Sequence, residues 1–257
     1  MLFRKSIERF GCLTVLVLLI LSLKAEAGVR HFTTVYEATT SAPGSFESEN
    51  YFTWADNPRD NHRFDVLSFR NEIELGLTDR FQASVYFANW SSSDDRIEHN
   101  RGWTYDSAAL ELIYNFLHPN LSPIGLSVYQ EVSGGPDLLE FEWKILLQKN
   151  VGRVIAAYNL ALEAEWEGQD LREQAGEISQ SVGVSYEIKP SLSAGLEFLH
   201  EIDLPGWSDA ERSVVFTGPN LCYRRPGWWI TIGELFQVTG RPSEATFQTR
   251  VIVGINF

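Results

Sequence analysis

The sequence predicts an all-β protein: a transmembrane, antiparallel, up-and-down β-barrel of about twelve strands with both termini on the periplasmic side. Three observations carry this reading. Apolar and polar residues alternate with period two through most of the chain, the pattern of strands with one apolar and one polar face. The connections between these strands are alternately short and long. After residue 27 no stretch is apolar enough for a helical span, and a membrane protein without such helices must close its sheet, because lipid offers no partner to an open backbone edge.

Residues 1–27 read as a secretory signal peptide. Arg4, Lys5 and Arg9 precede the apolar run Leu13–Leu23, and Ala25-Glu26-Ala27 supplies the small-x-small cleavage pattern. The run is shorter than the roughly 20 residues of a membrane-spanning helix. Cys12 lies before the run and is not placed as a lipoprotein cysteine. The formal net charge of −13 becomes more negative once this basic segment is removed, which argues against nucleic acid as a partner. Cys222 is then the sole cysteine, so no internal disulfide, thiol pair or Cys/His metal site is expected, and no cofactor or metal is assigned.

Residues 28–44 are ambiguous, either a short strand or an extended segment lying in the lumen. The barrel is assigned to 45–257, with strands at about 45–56, 63–77, 80–90, 106–116, 123–133, 138–148, 152–166, 174–188, 191–202, 211–223, 227–238 and 245–257. Long polar connections (ADNPRDNH, SSSDDRIEHNRGWTYD, SGGPD, EGQDLREQ, DLPGWSDAE and TGRPSE) alternate with mostly tight ones such as Thr78-Asp79-Arg80, Asn150-Val151-Gly152 and Lys189-Pro190. Short periplasmic turns opposite longer outer loops are a property of membrane barrels, and a soluble sandwich gives no reason for them.

Within the strands, Phe69, Ile73, Leu75 and Leu77 oppose Arg70, Glu72, Glu74 and Gly76; Leu139, Phe141, Trp143, Ile145 and Leu147 oppose Glu140, Glu142, Lys144 and Gln148. Such faces suit lipid outside and water inside, though a sandwich core would alternate in the same way. Phe81, Phe116, Tyr186, Tyr223, Trp228 and Phe257 fall near one set of strand ends, and Trp54, Trp90 and Trp166 near the other, as interfacial girdles would. The last strand, ATFQTRVIVGINF, ends on Phe257 with apolar residues at alternate positions before it. That is the form of an outer-membrane assembly signal, so the barrel-assembly machinery and outer-membrane lipid are expected partners.

Several stretches resemble the small bacterial outer-membrane barrels grouped with the MetA-type component of phenol meta-cleavage pathways. They are Thr33–Glu49, the hairpin Phe69–Gln82 (FRNEIELGLTDRFQ), Gly218–Tyr223 (GPNLCY) with Trp228-Trp229 after it, and the terminal strand. The resemblance implies a barrel of about twelve strands in the bacterial outer membrane that passes small compounds, hydrophobic ones included. It brings no catalytic or binding motif.

The expected lumen lining is acidic: Glu72, Glu74, Glu111, Glu131, Glu140, Glu142, Glu163, Glu165, Glu197 and Glu201, with Arg70, Lys144 and Arg250 as cations. Acidic rings select cations, whereas carboxylates bridged by Arg and Lys would instead fill the lumen. Twelve tilted strands give a backbone diameter of about 24 Å and a free bore of at most about 10–14 Å, so the expectation is a narrow channel or a plugged one. No enzyme is expected. The one arrangement worth naming for lipid-face hydrolysis is His200 near Ser213 in a neighbouring strand. A barrel acting through its loops, with Trp103 and Trp207 as contacts, is the alternative to a channel.

Overall fold

The structure is a computed structural model and describes residues 28–56, 58–208 and 210–257; the signal-peptide expectation for 1–27 lies outside the described residues. The chain forms β1 (Phe46–Asp56), β2 (Phe64–Thr78), β3 (Phe81–Asp95), β4 (Asn100–Leu117), β5 (Gly125–Gly134), β6 (Leu138–Val151), β7 (Val154–Glu167), β8 (Glu173–Lys189), β9 (Leu192–Asp203), β10 (Val214–Arg225), β11 (Trp228–Gln237) and β12 (Phe247–Asn256). Each strand pairs antiparallel with its sequence neighbours, and β1 pairs with β12, so the sheet closes. Among the described residues, closure leaves no strand edge unpaired through the body of the barrel, the condition for crossing lipid; the start of β4, before Ala108, keeps a free edge.

Residues are distributed in the reverse of a water-soluble protein. Val85, Phe87, Leu110, Phe116, Trp143, Ile145, Leu162, Val184, Leu196 and Phe198 are exposed on the outer wall, whereas Glu47, Glu49, Glu72, Glu111, Glu131 and Glu197 are buried inside it. A continuous apolar belt of this extent is far larger than the patches a soluble monomer exposes. Aromatic residues edge the belt. At the end carrying the start of β1 and the end of β12, here the base, Phe46 meets Phe257 at 5.4 Å and Tyr223 meets Trp228 at 5.8 Å. At the opposite end, the mouth, Trp54 meets Phe247 at 5.5 Å and Trp90 meets Tyr105 at 5.2 Å.

Base connections are short turns except residues 118–124, and those at the mouth are mostly longer. The largest departure from expectation is the stretch 91–106, which is not a loop. β3 and β4 continue past the belt as a paired ribbon, turning only at residues 96–99. β2 stays paired with β3 as far as Phe64 and Asp95, and most side chains of this extension are polar and exposed or half-buried, so the apolar alternation that marks a strand fades there. β10 starts at Val214 rather than 211, which leaves Ser213 in the mouth loop; His200 pairs in register with Val215. In β3 a bulge between Tyr86 and Asn89 adds a residue. It resets the parity, so that Phe87 and Trp90 both face outward while Tyr86 and Asn89 both stay buried inside.

Candidate functional site: the lumen and the segment inside it

Residues 28–44 lie inside the barrel. Phe32, Val35 and Ala38 are buried there. Ala38 sits in an apolar seat made by Ile113, Tyr129 and Leu146, with Tyr36 against it, and Phe32 and Val35 sit with Ala157. The wall makes room by omitting side chains: a Cβ on Gly183 would come within 2.5 Å of the Phe32 ring, and one on Gly233 within 2.5 Å of Thr33 Oγ1.

A segment without secondary structure still needs partners for its backbone groups, and here the wall's side chains provide them. Glu197 accepts from Thr33 N and Thr34 N at 2.8 and 2.7 Å, and from their hydroxyls at 3.0 and 2.6 Å. Asn220 Nδ2 donates to the same carboxylate at 2.7 Å. Tyr36 N donates to Asn159 Oδ1 at 2.7 Å, and Asn159 Nδ2 returns a bond to Tyr36 O at 2.9 Å. Ala38 N donates to Gln148 and Ser41 N to Gln82, at 2.8 and 2.9 Å. Asn115 Nδ2 donates to Ala38 O at 2.7 Å.

The segment also latches to itself. Glu37 Oε1 accepts from His31 N at 2.8 Å and lies 2.8 Å from His31 Nδ1. Burial alone would lower the His31 pKa, but the Glu37 charge and hydrogen bond outweigh it and raise the value above that of an ordinary imidazole. Burial alone would raise Glu37, and His31 likewise reverses the sign and lowers it.

The inward carboxylates are arranged by register. Glu47 opposes Glu74 and Glu49 opposes Glu72 across β1–β2. Glu111, Glu131, Glu142, Glu163 and Glu177 face one another in turn from β4 to β8, and Asp203 follows on β9. Like charges directly opposite are destabilising unless compensated. The first part of this arc is compensated. Glu111 accepts from Tyr86 Oη at 2.8 Å, Glu131 pairs with Arg70 at 2.7 Å, and Glu142 pairs with Lys144 at 2.9 Å. Nearer the base, Glu74 accepts from Gln82 at 2.6 Å and from Ser41, and Glu72 from Tyr51 at 2.7 Å. Arg30, from the segment, pairs with Glu49 at 3.3 Å.

Toward the mouth, among the described residues, no ion pair bridges the arc. Glu140, Glu163 and Glu165 are half-buried and present carboxylate oxygens within 4.8 Å of one another, a spacing at which they could share a hard cation. Glu201 and Arg250 line the same region as Glu142, Lys144 and Glu177. The β9–β11 side of this half is filled by Leu199, Val214, Phe216 and Leu235.

The expected lining residues Arg70, Glu72, Glu74, Glu111, Glu131, Glu140, Glu142, Lys144, Glu163, Glu165, Glu197 and Arg250 thus fall into two groups, one bonded into the wall and the segment, the other around the mouth. Glu47, Glu49, Arg30, the buried Tyr86 and Tyr129 and the half-buried Tyr51 are not among the expected lining residues. Alternation marks Glu47, Glu49 and Tyr51 as sharing a face. Arg30 carried no such signal, because the segment that holds it has no period.

No curated protein sequence matches the chain. Among solved structures, the NanC porin is similar with a TM-score of 0.57 at 11% identity, covering 82% of this chain and 100% of that one. The translocator domain of the autotransporter NalP from Neisseria meningitidis is similar with a TM-score of 0.51 at 13% identity, covering 84% and 90%. The KdgM porin, solved in complex with disordered oligogalacturonate, gives 0.50 at 11%, covering 83% and 98%. These likenesses show an outer-membrane-type β-barrel fold. The model of a family of unknown function, DUF6662, matches residues 24–251, and the chain belongs to that family.

Proposed function

We propose that this protein is an outer-membrane channel for small polar solutes whose bore its own N-terminal segment closes. The observation that carries the reading is the segment 28–44 inside the lumen, whose backbone N–H groups donate to polar wall side chains. Such bonds exchange readily with water, at a net contribution of about 0.5–1.5 kcal/mol each, or about 1.5–3 kcal/mol to a charged acceptor. An obstruction of this kind can be released without unfolding the wall. The uncompensated carboxylates at the mouth support a preference for cationic over anionic solutes. The reading includes a signal peptide at 1–27, both barrel termini in the periplasm, and assembly through the strand that ends at Phe257. It also includes kinship with the phenol meta-pathway barrels, although the polar lining favours polar cargo over hydrophobic cargo. No catalysis is part of it.

Liposome swelling with uncharged polar solutes of graded size tests the proposal. The intact protein should admit only the smallest, slowly, and a version lacking residues 28–43 should admit larger ones faster. A barrel that shows heat-shifted gel mobility yet gives no flux in either form would overturn the channel reading. It would favour action through the mouth, where Trp103 is 63% exposed on the β3–β4 ribbon. Trp207 is the weaker candidate there, since it packs on Trp166 at 4.9 Å.

A further inference from the structure

Above the segment, two cavities meet. One, of about 170 Å³, is lined by the cations Arg30, Arg70, Lys144 and Arg250 together with Thr33 and Thr34. The other, of about 150 Å³, is lined by the carboxylates Glu142, Glu177 and Glu201, with Ser179 and Ser181. They share Thr34, Lys144 and Arg250. Each is well above the ~10–15 Å³ that one water needs.

Two of the shared or adjoining cations have unused capacity. Arg250 donates through Nε and Nη2 to Gln248 Oε1, at 3.1 and 2.8 Å, and stands in no ion pair among the described residues. Arg70 spends one Nη on Glu131, while its Nε is buried without a hydrogen-bond partner. A carboxylate in the first cavity would have two guanidinium groups, those of Arg70 and Arg250, lining it as charge-assisted donors. A simple anion there would face Glu142, Glu177 and Glu201 across the junction; a simple cation in the second cavity would face Arg250. A solute carrying both charges satisfies both sides, and electrostatic complementarity of this kind determines which partner is accepted.

We propose that this junction binds a small zwitterion of the amino-acid type, with its carboxylate toward Arg250 and Arg70 and its ammonium group toward Glu177 and Glu201. The proposal rests on the channel reading only in treating this ligand as cargo.

Titration calorimetry on the refolded full chain in detergent, with L-serine, N-acetyl-L-serine and L-serinamide, tests it. The three share a skeleton and differ in charge: zwitterion, anion and cation. L-serine should bind at least about tenfold more tightly than either of the others. Arg250→Gln should weaken L-serine by about tenfold without weakening serinamide, and Glu201→Gln should weaken L-serine by about tenfold without weakening N-acetylserine. Equal binding of the anion or the cation, retention of L-serine affinity by both variants, or no binding of any of the three up to about 10 mM would overturn the proposal. The three-ligand comparison needs no variant, so it decides even if a substitution misfolds. A barrel that binds L-serine but passes no solute contradicts the channel reading alone; one that passes solutes but discriminates none of the three contradicts this inference alone.

Discussion

Glu197 carries much of the restraint on the N-terminal segment. Its carboxylate is an acceptor with about four lone-pair sites, and two backbone N–H groups, two hydroxyls and an amide point at it. Glu197→Gln keeps the shape but turns donor against donor. We predict that it loosens the segment by about 3 kcal/mol, or about 10²-fold in its release, read as faster trypsin cleavage after Arg30 in the folded barrel. The His31–Glu37 latch makes a different prediction. Because the His31 pKa is raised, its contribution is complete below an ordinary imidazole value of 6.5 and is lost as pH rises through the higher folded value. Because that of Glu37 is lowered, its contribution is complete above an ordinary 4.5 and is lost as pH falls through the lower folded value. Hydrogen exchange at the His31 amide should therefore show its strongest protection between pH 4.5 and 6.5, after correction for intrinsic rate, and His31→Phe should abolish the high-pH loss. Alternation in the sequence tells which face Glu197 is on. It does not tell that its partners lie 164 residues earlier, because hydrogen bonds from an aperiodic segment leave no local pattern.

At the scale of elements, the twelve strands were legible because each must present apolar residues to lipid and polar ones to the lumen, which stamps period two on the sequence. Where one condition lapses, so does the signal. The β3–β4 extension above the belt reads as a loop in the sequence, and the bulge at Tyr86–Asn89 changes parity without a sequence mark. The segment 28–44 read ambiguously for a related reason. It lies within the ring of strands and is anchored by scattered residues (Phe32, Val35, Ala38) rather than by a stripe. Its seat is readable only in the fold, in glycines that leave space. Gly183→Val should drive Phe32 from its seat, since even a Cβ there falls 2.5 Å from the ring. The expected outcome is faster cleavage after Arg30 with the heat-shifted mobility of the barrel unchanged, which separates a displaced segment from a broken wall.

For the whole molecule, the climb of the acidic arc from Glu111 to Asp203 reconciles two readings that the composition left open. Its lower part is bridged by Arg70, Lys144 and tyrosine hydroxyls, and among the described residues no cation pairs with its upper part. Charge selectivity should therefore reside at the mouth. In the version lacking residues 28–43, replacing Glu140, Glu163 and Glu165 together with Gln should move the reversal potential in a salt gradient toward zero, whereas Glu111→Gln should move it little. Single-channel recording of the intact and 28–43-deleted proteins side by side in a planar bilayer shows whether the protein's own N-terminal segment closes a barrel otherwise able to conduct. The intact barrel should be closed with brief openings and the deleted one should show sustained, cation-preferring conductance; equal conductance from the two would mean that the segment does not close the bore.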